Sequence, residues 1–113
     1  MRIEHLDGPG GAWRVLVPET RQERMRGLRG HPPPGPREAM LFRRCRSVHT
    51  FAMVRPISVA FLDAGLRVVR VRRCRPRRVL FSTGGARHVL ECGAGAAVRV
   101  GDRFRPPGCR ASR

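Results

Sequence analysis

The chain has 113 residues, enough for one domain with a single core that buries roughly two-thirds of the surface its unfolded form exposes. Its net charge is +16, its 24 basic residues are all arginine, tyrosine is absent, and alanine, glycine and proline abound, as a GC-rich genome's codon bias would produce. No apolar run approaches the roughly 18 residues of a membrane-spanning helix, and the opening MRIEHLDGPGG has no signal-peptide stretch, so a helical span is excluded and a cytoplasmic location expected.

In chain order, Trp13 to Val17 is short, apolar and rich in aromatic and β-branched residues, and is expected to be a strand. The period then changes. TRQE matches a capping box, in which the Thr20 hydroxyl accepts from the Glu23 amide while the Glu23 carboxylate accepts from the Thr20 amide. A surface helix therefore begins after Thr20, with Met25 and Leu28 expected on its core face and Gly30 expected to close it. HPPPGP, His31 to Pro36, is a stiff connector because its prolines lack amide donors. Ala39 to Phe42 is a brief strand.

HTFAM places His49, Phe51 and Met53 on one strand face. After Pro56, Ile57, Val59 and Phe61 alternate with Ser58, Ala60 and Leu62, so both faces are largely apolar and the strand is central. Asp63-Ala64-Gly65 carries turn chemistry, with Gly65 expected in the left-handed position. The return strand LRVVRVRR loses its alternation between Val68 and Val69, which a β-bulge would repair. RPRR reads as an exposed edge or loop. RVLF and RHVLEC read as further strands separated by STGG, and a Gly-Asp turn leads to a last short strand. Residues 1–105 are expected to form one domain and 106–113 a flexible tail.

Cys45, Cys74, Cys92 and Cys109 contain no CxxC pair and are expected to be thiols. The pairs Cys45/His49 and His88/Cys92 could meet a metal only if their segments were helical or looped. On strands four residues span about 13 Å, so neither a metal nor another cofactor is expected. The charge attracts phosphate polymers. Because the arginines run the whole length and Phe42, Phe51, Phe61 and Phe81 sit in apolar runs, such contact should be sequence-blind.

TRQERMRGL, AMLF, HTFAM, PISVAFLD with AG, VLECGAG and GD follow one another in the order that characterises the domain of unknown function 192 family. The chain resembles that family over roughly residues 13 to 104. The resemblance implies a compact, mainly β (α+β) domain, barrel-like or sandwich-like, with one capped surface helix after the first strand. It brings no established biochemical activity with it. Ala39 stands where the family usually has glycine, and Ser58 where it usually has aspartate.

The polar residues at matching motif positions are Glu23, Arg24, His49, Asp63, Glu91 and Asp102. Structural roles are available to each. Glu23 caps a helix, Asp63 and Asp102 initiate turns, Glu91 pairs with one of the arginines, and His49 ends a strand. The expected function is a monomeric, non-catalytic module that binds a small molecule or protein in a pocket between the sheet and the capped helix. Its ligand-binding candidates are His49, Ser58 and Arg24. The alternatives are a hydrolase-like enzyme using His49, Asp63 and Glu91, and an arginine-driven nucleic-acid binder.

Overall fold

Trp13, Val15 and Val17 point inward while Ala12 and Arg14 point outward, the alternation that makes Gly11–Val17 a strand (β2) with one buried face. It pairs antiparallel with a strand that hydropathy does not announce, Arg2–Gly8 (β1), of which Leu6 is the one fully buried residue. The register sets Gly8 opposite Gly11, leaving Pro9 and Gly10 as the turn. Proline's fixed φ suits the first central position and Gly10, at φ 82°, the second, the combination of a type II turn.

The helix (α1) spans Arg21–Arg26 and carries both halves of the capping box: the Glu23 amide donates to Thr20 Oγ1 at 3.1 Å and the Thr20 amide to Glu23 Oε1 at 2.9 Å. It closes at Gly27, earlier than the expected Gly30, because Gly27 adopts φ 57° and ψ −139° and its amide donates to the Glu23 carbonyl. This early stop changes which side chain meets the core. Leu28, in the turn beyond the helix, is buried, whereas Met25, expected inside, is 75% exposed.

The structure is a computed structural model that describes residues 1–28, 30–45, 55–75 and 85–108, together with the backbone of 47–49 and 79–81. The remaining strands are Glu38–Phe42 (β3), Ser47–His49 (β4), Ile57–Leu62 (β5), Val68–Cys74 (β6), Val79–Phe81 (β7) and His88–Gly93 (β8). The expected face of Phe51 and Met53, the centre of RPRR, most of STGG and residues 109–113 lie outside the described residues.

Six strands form one sheet in the order β1-β2-β3-β8-β5-β6, parallel only where the helical crossover joins β2 to β3; β4 and β7 form a two-stranded antiparallel ribbon. All six residues of β5 are buried, as expected of a strand with two apolar faces. Val59 and Phe61 join Met40, Val89 and Leu28 on one side. Ala60 and Leu62 join Trp13, Leu90 and Phe104 on the other.

In the β5–β6 hairpin, Asp63 Oδ1 accepts from the amides of Gly65 and Arg67, both at 2.9 Å. The left-handed residue is Leu66 at φ 62°, not the expected Gly65; its side chain packs on the core and its amide donates to the Asp63 carbonyl, holding a conformation that a bulky residue rarely adopts. The bulge falls where alternation fails. Phe61 pairs with Arg70 and Leu62 with Val68, so Val69 is the extra residue and lies exposed.

The expected mainly β domain with one capped helix is what forms, and its sheet does not close into a barrel. The sheet is open, with β1 and β6 as opposite edges that never pair. A strap from Arg103 to Arg105 links them at one end, bridging Arg67 to Arg103 and Asp7 to Arg105. Between these bridges the Phe104 ring meets Trp13 edge-on, centroids 5.1 Å apart at 82°. Gly8 has no room for a side chain, since a Cβ there would lie 2.7 Å from that ring. Among the described residues no helix is long and apolar enough to cross a membrane.

Candidate functional site

The face of the sheet that carries Met40, Val59 and Val89 meets the chain just after α1. Glu91 lies on this face, opposite Met40 on one side and Val59 on the other, and is only 3% exposed. β8 is a central strand buried on both faces between β3 and β5, which encloses the carboxyl. Among the described residues no arginine pairs with it, where a pairing was expected. The carboxyl accepts from the Leu28 amide, while Oε1 is buried with no donor among the described residues. Burial pushes its pKa up to about 7, against which the Leu28 hydrogen bond works. The same burial pushes the Cys92 thiol up to about 12 and raises that of Cys74, with the Glu91 charge adding to both.

Above Leu28 the proline connector stands off the sheet and leaves a cleft of about 350 Å³. Its floor is Leu16 and Ala39, its far wall Leu28 and Pro32–Pro34, and its polar groups Arg14, His31 and Glu38. Arg14 Nη1 and Glu38 Oε2 are 3.6 Å apart, and Glu38 Oε1 accepts from the Gly35 amide at 2.7 Å, which fixes the carboxylate at the rim. A second hollow of about 400 Å³ lies on the other side of this ion pair, beside His5, Trp13 and Arg37. Glu91 does not line the cleft. It holds the turn that forms one wall.

Of the candidates named from the sequence, Ser58 and Glu91 are held on opposite faces of the sheet, so no single pocket contains both. Ser58 is 7% exposed, its hydroxyl donating to the Ala94 carbonyl at 3.4 Å. Asp63 uses Oδ1 to build its turn, and Asp102 Oδ2 accepts from the Arg99 amide. Arg24 Nη1 donates to the Arg43 carbonyl at 3.0 Å and ties α1 to the end of β3. His49 has its backbone in β4 opposite Val79, and its side chain lies outside the described residues.

His88 Nδ1 accepts from the Arg44 amide at 3.0 Å, steadying a residue held at φ 54°. That role requires the neutral ring, and burial, with Arg43 and Arg44 nearby, lowers its pKa accordingly. Cys45 packs on the Met40 face and Cys92 lies on the Trp13 face, so the Cys2His2 set suggested by spacing does not meet. The cleft residues Arg14, His31 and Glu38 escaped sequence reasoning because each lies in a segment whose secondary structure explains it. The one usable signal was the proline run beside His31, since a rigid extended wall holds a cleft open.

The DUF192 family model, described as Uncharacterized ACR, COG1430, matches residues 3–105. A UPF0127 protein of Thermococcus sibiricus is 35% identical over 92% of this chain and 73% of its own length. A UPF0127 protein of Pyrococcus horikoshii is 33% identical over 61% of this chain and 65% of its own length. Among solved structures, a protein of unknown function from Novosphingobium aromaticivorans superimposes with a TM-score of 0.74 at 23% identity, covering 91% of this chain and 83% of that one. A candidate transcription regulator from Sinorhizobium meliloti does so with a TM-score of 0.74 at 22% identity, covering 93% and 92%. These two likenesses carry the fold alone. The family match runs from β1 through the Arg103–Arg105 strap, and the chain belongs to the domain of unknown function 192 family.

Proposed function

We propose that the protein is a small non-catalytic binding module whose ligand occupies the cleft between the sheet and the proline connector. The supporting observation is the make-up of that cleft: an apolar floor and a rigid proline wall, with Arg14, His31 and Glu38 at its polar positions. Few polar groups set in an apolar concavity is the usual composition of a small-molecule site. The chemistry suits a compact molecule with an apolar body and an anionic or zwitterionic head, the head competing with Glu38 for the Arg14 guanidinium. Among the described residues no nucleophile and base, and no carboxylate pair, converge in the cleft, which favours binding over catalysis.

Ligand-observed NMR against a panel of carboxylic acids, amino acids and nucleotides tests this. Binders should shift the amides of Leu16, Leu28 and Ala39 in the labelled protein and weaken at least about tenfold in Arg14→Ala. Binders that leave those three amides unmoved would remove the proposal.

A further inference from the structure

The charges are unevenly placed. Of the eight carboxylates, Glu4 and Asp7 lie on β1, Glu19 and Glu23 at the start of α1, Glu38 on β3, and Glu91 is buried in β8. The other two, Asp63 and Asp102, sit in turns and accept from backbone amides. Arg2 and Arg43 pair with Glu4, and Arg14 with Glu38, on the β1–β3 side of the sheet. At the opposite edge neither β6 nor its neighbour β5 contains a carboxylate.

That edge carries Arg70, Arg72 and Arg73 within one strand, with Arg67 and Arg103 bridged together at one end and Arg75 at the other. The register puts Arg70 and Arg72 on the Phe61 side of the sheet, about 6.8 Å apart along the strand, and Arg73 on the Ser58 side. Arg70 lies over the Phe61 ring, 5.8 Å from its centroid, which holds that side chain against the sheet. Beyond β6 the sheet has no further strand among the described residues.

We propose that the β6 edge is a docking strip for the phosphate backbone of a nucleic acid. Guanidinium groups displayed on both sides of an exposed strand grip phosphates by paired hydrogen bonds, and β5 and β6 contribute no carboxylate of their own; Asp63 and Asp102 lie at the Arg67 end, where their side chains accept from backbone amides. The described aromatics, Trp13, Phe42, Phe61 and Phe104, are all buried and offer no face to a base, so the strip reads no sequence. Edge arginines also protect a sheet from pairing with a second sheet, and a purely protective role would not depend on which arginines are removed when net charge is matched.

Charge-matched variants separate these roles. Fluorescence anisotropy with a labelled 20-nucleotide mixed-sequence single strand is followed from low to physiological salt for the parent, for Arg72→Glu/Arg73→Glu, and for Arg21→Glu/Arg26→Glu on exposed α1. The edge pair should lose about tenfold or more in affinity, and its plot of log K against log salt should flatten by about 1.5, two phosphate contacts' worth. The helix pair should lose less than about threefold and keep the parent slope. Circular dichroism confirms folding, and Arg72→Gln/Arg73→Gln replaces the edge pair if it misfolds. Equal losses in both pairs, a parent that does not bind at physiological salt, or edge-dependent binding to phosphatidylserine vesicles without binding to the oligonucleotide would each overturn the proposal.

Discussion

Glu91 Oε1 lies 3.2 Å from the point that a Cβ on Gly27 would occupy. The glycine is there for two reasons at once: it adopts φ 57° with ψ −139°, and it gives the buried carboxyl room beneath the turn. Gly27→Ala should therefore lower stability by about 2–4 kcal/mol in urea unfolding. Gly30→Ala is the comparison, because Gly30 also has positive φ but nothing within 4 Å of its Cβ position, and it should cost about 1 kcal/mol. Equal losses would mean that the Glu91 contact contributes nothing.

Burial raises the Glu91 pKa from 4.5 to about 7, so the folded protein holds a proton that the unfolded chain releases above pH 4.5. Its contribution to stability is fully present below that value, falls as pH rises toward 7, and levels off above it. The separation corresponds to something on the order of 3 kcal/mol. Glu91→Gln keeps an acceptor for the Leu28 amide without the titration. It should unfold at a higher temperature than the parent at pH 8 and show a flatter profile of melting temperature between pH 5 and 7. A parent and variant with parallel profiles would show Glu91 to be solvated.

Ser58 is buried, and its cross-strand neighbours on the same face are Cys92 and Arg73. Placing the family's usual aspartate there desolvates a carboxylate at the inner end of an exposed arginine. Ser58→Asp should lower stability at pH 7 by about 2 kcal/mol or more, with the loss deepening when Arg73 is also changed to alanine. Thermal and urea unfolding of the two variants and their combination measure this. No loss in the single variant would reveal a wet pocket at this position.

Cys74 and Cys92 are buried, and both thiols are pushed toward the protonated form. Neither should react with iodoacetamide at pH 8 in the native protein, whereas both should be labelled in urea. Mass mapping of the modified peptides reads the result, and rapid native labelling at Cys92 would contradict its place in the core.

Much of the fold was legible because local chemistry and tertiary packing agreed. The Thr20–Glu23 box, the two-faced β5 and the bulge at Val69 each follow from residue type and spacing alone. β1 was hidden because its ladder is made by backbone groups, while Ile3, Glu4 and His5 point partly or wholly to water, as an edge strand permits. Leu66 defeated the turn rule because core packing, a long-range effect, outweighs its local preference against positive φ. The site was less legible still. Glu91 sits in an apolar run where a lone acid suggests a surface ion pair, and only the sheet order shows it walled in by β3, β5 and the turn after α1.

The strap from Arg103 to Arg105 has a consequence for synthesis. Asp7 and Arg105 exchange two backbone hydrogen bonds, each of 2.8 Å, across almost the whole length of the family match. Strands β1 and β2 can pair as soon as they are made, yet the Trp13 face stays without its Phe104 cover until residue 104 has left the ribosome. A nascent chain carrying only the first hundred residues thus presents an open apolar face, and contacts of such long range slow the final closure.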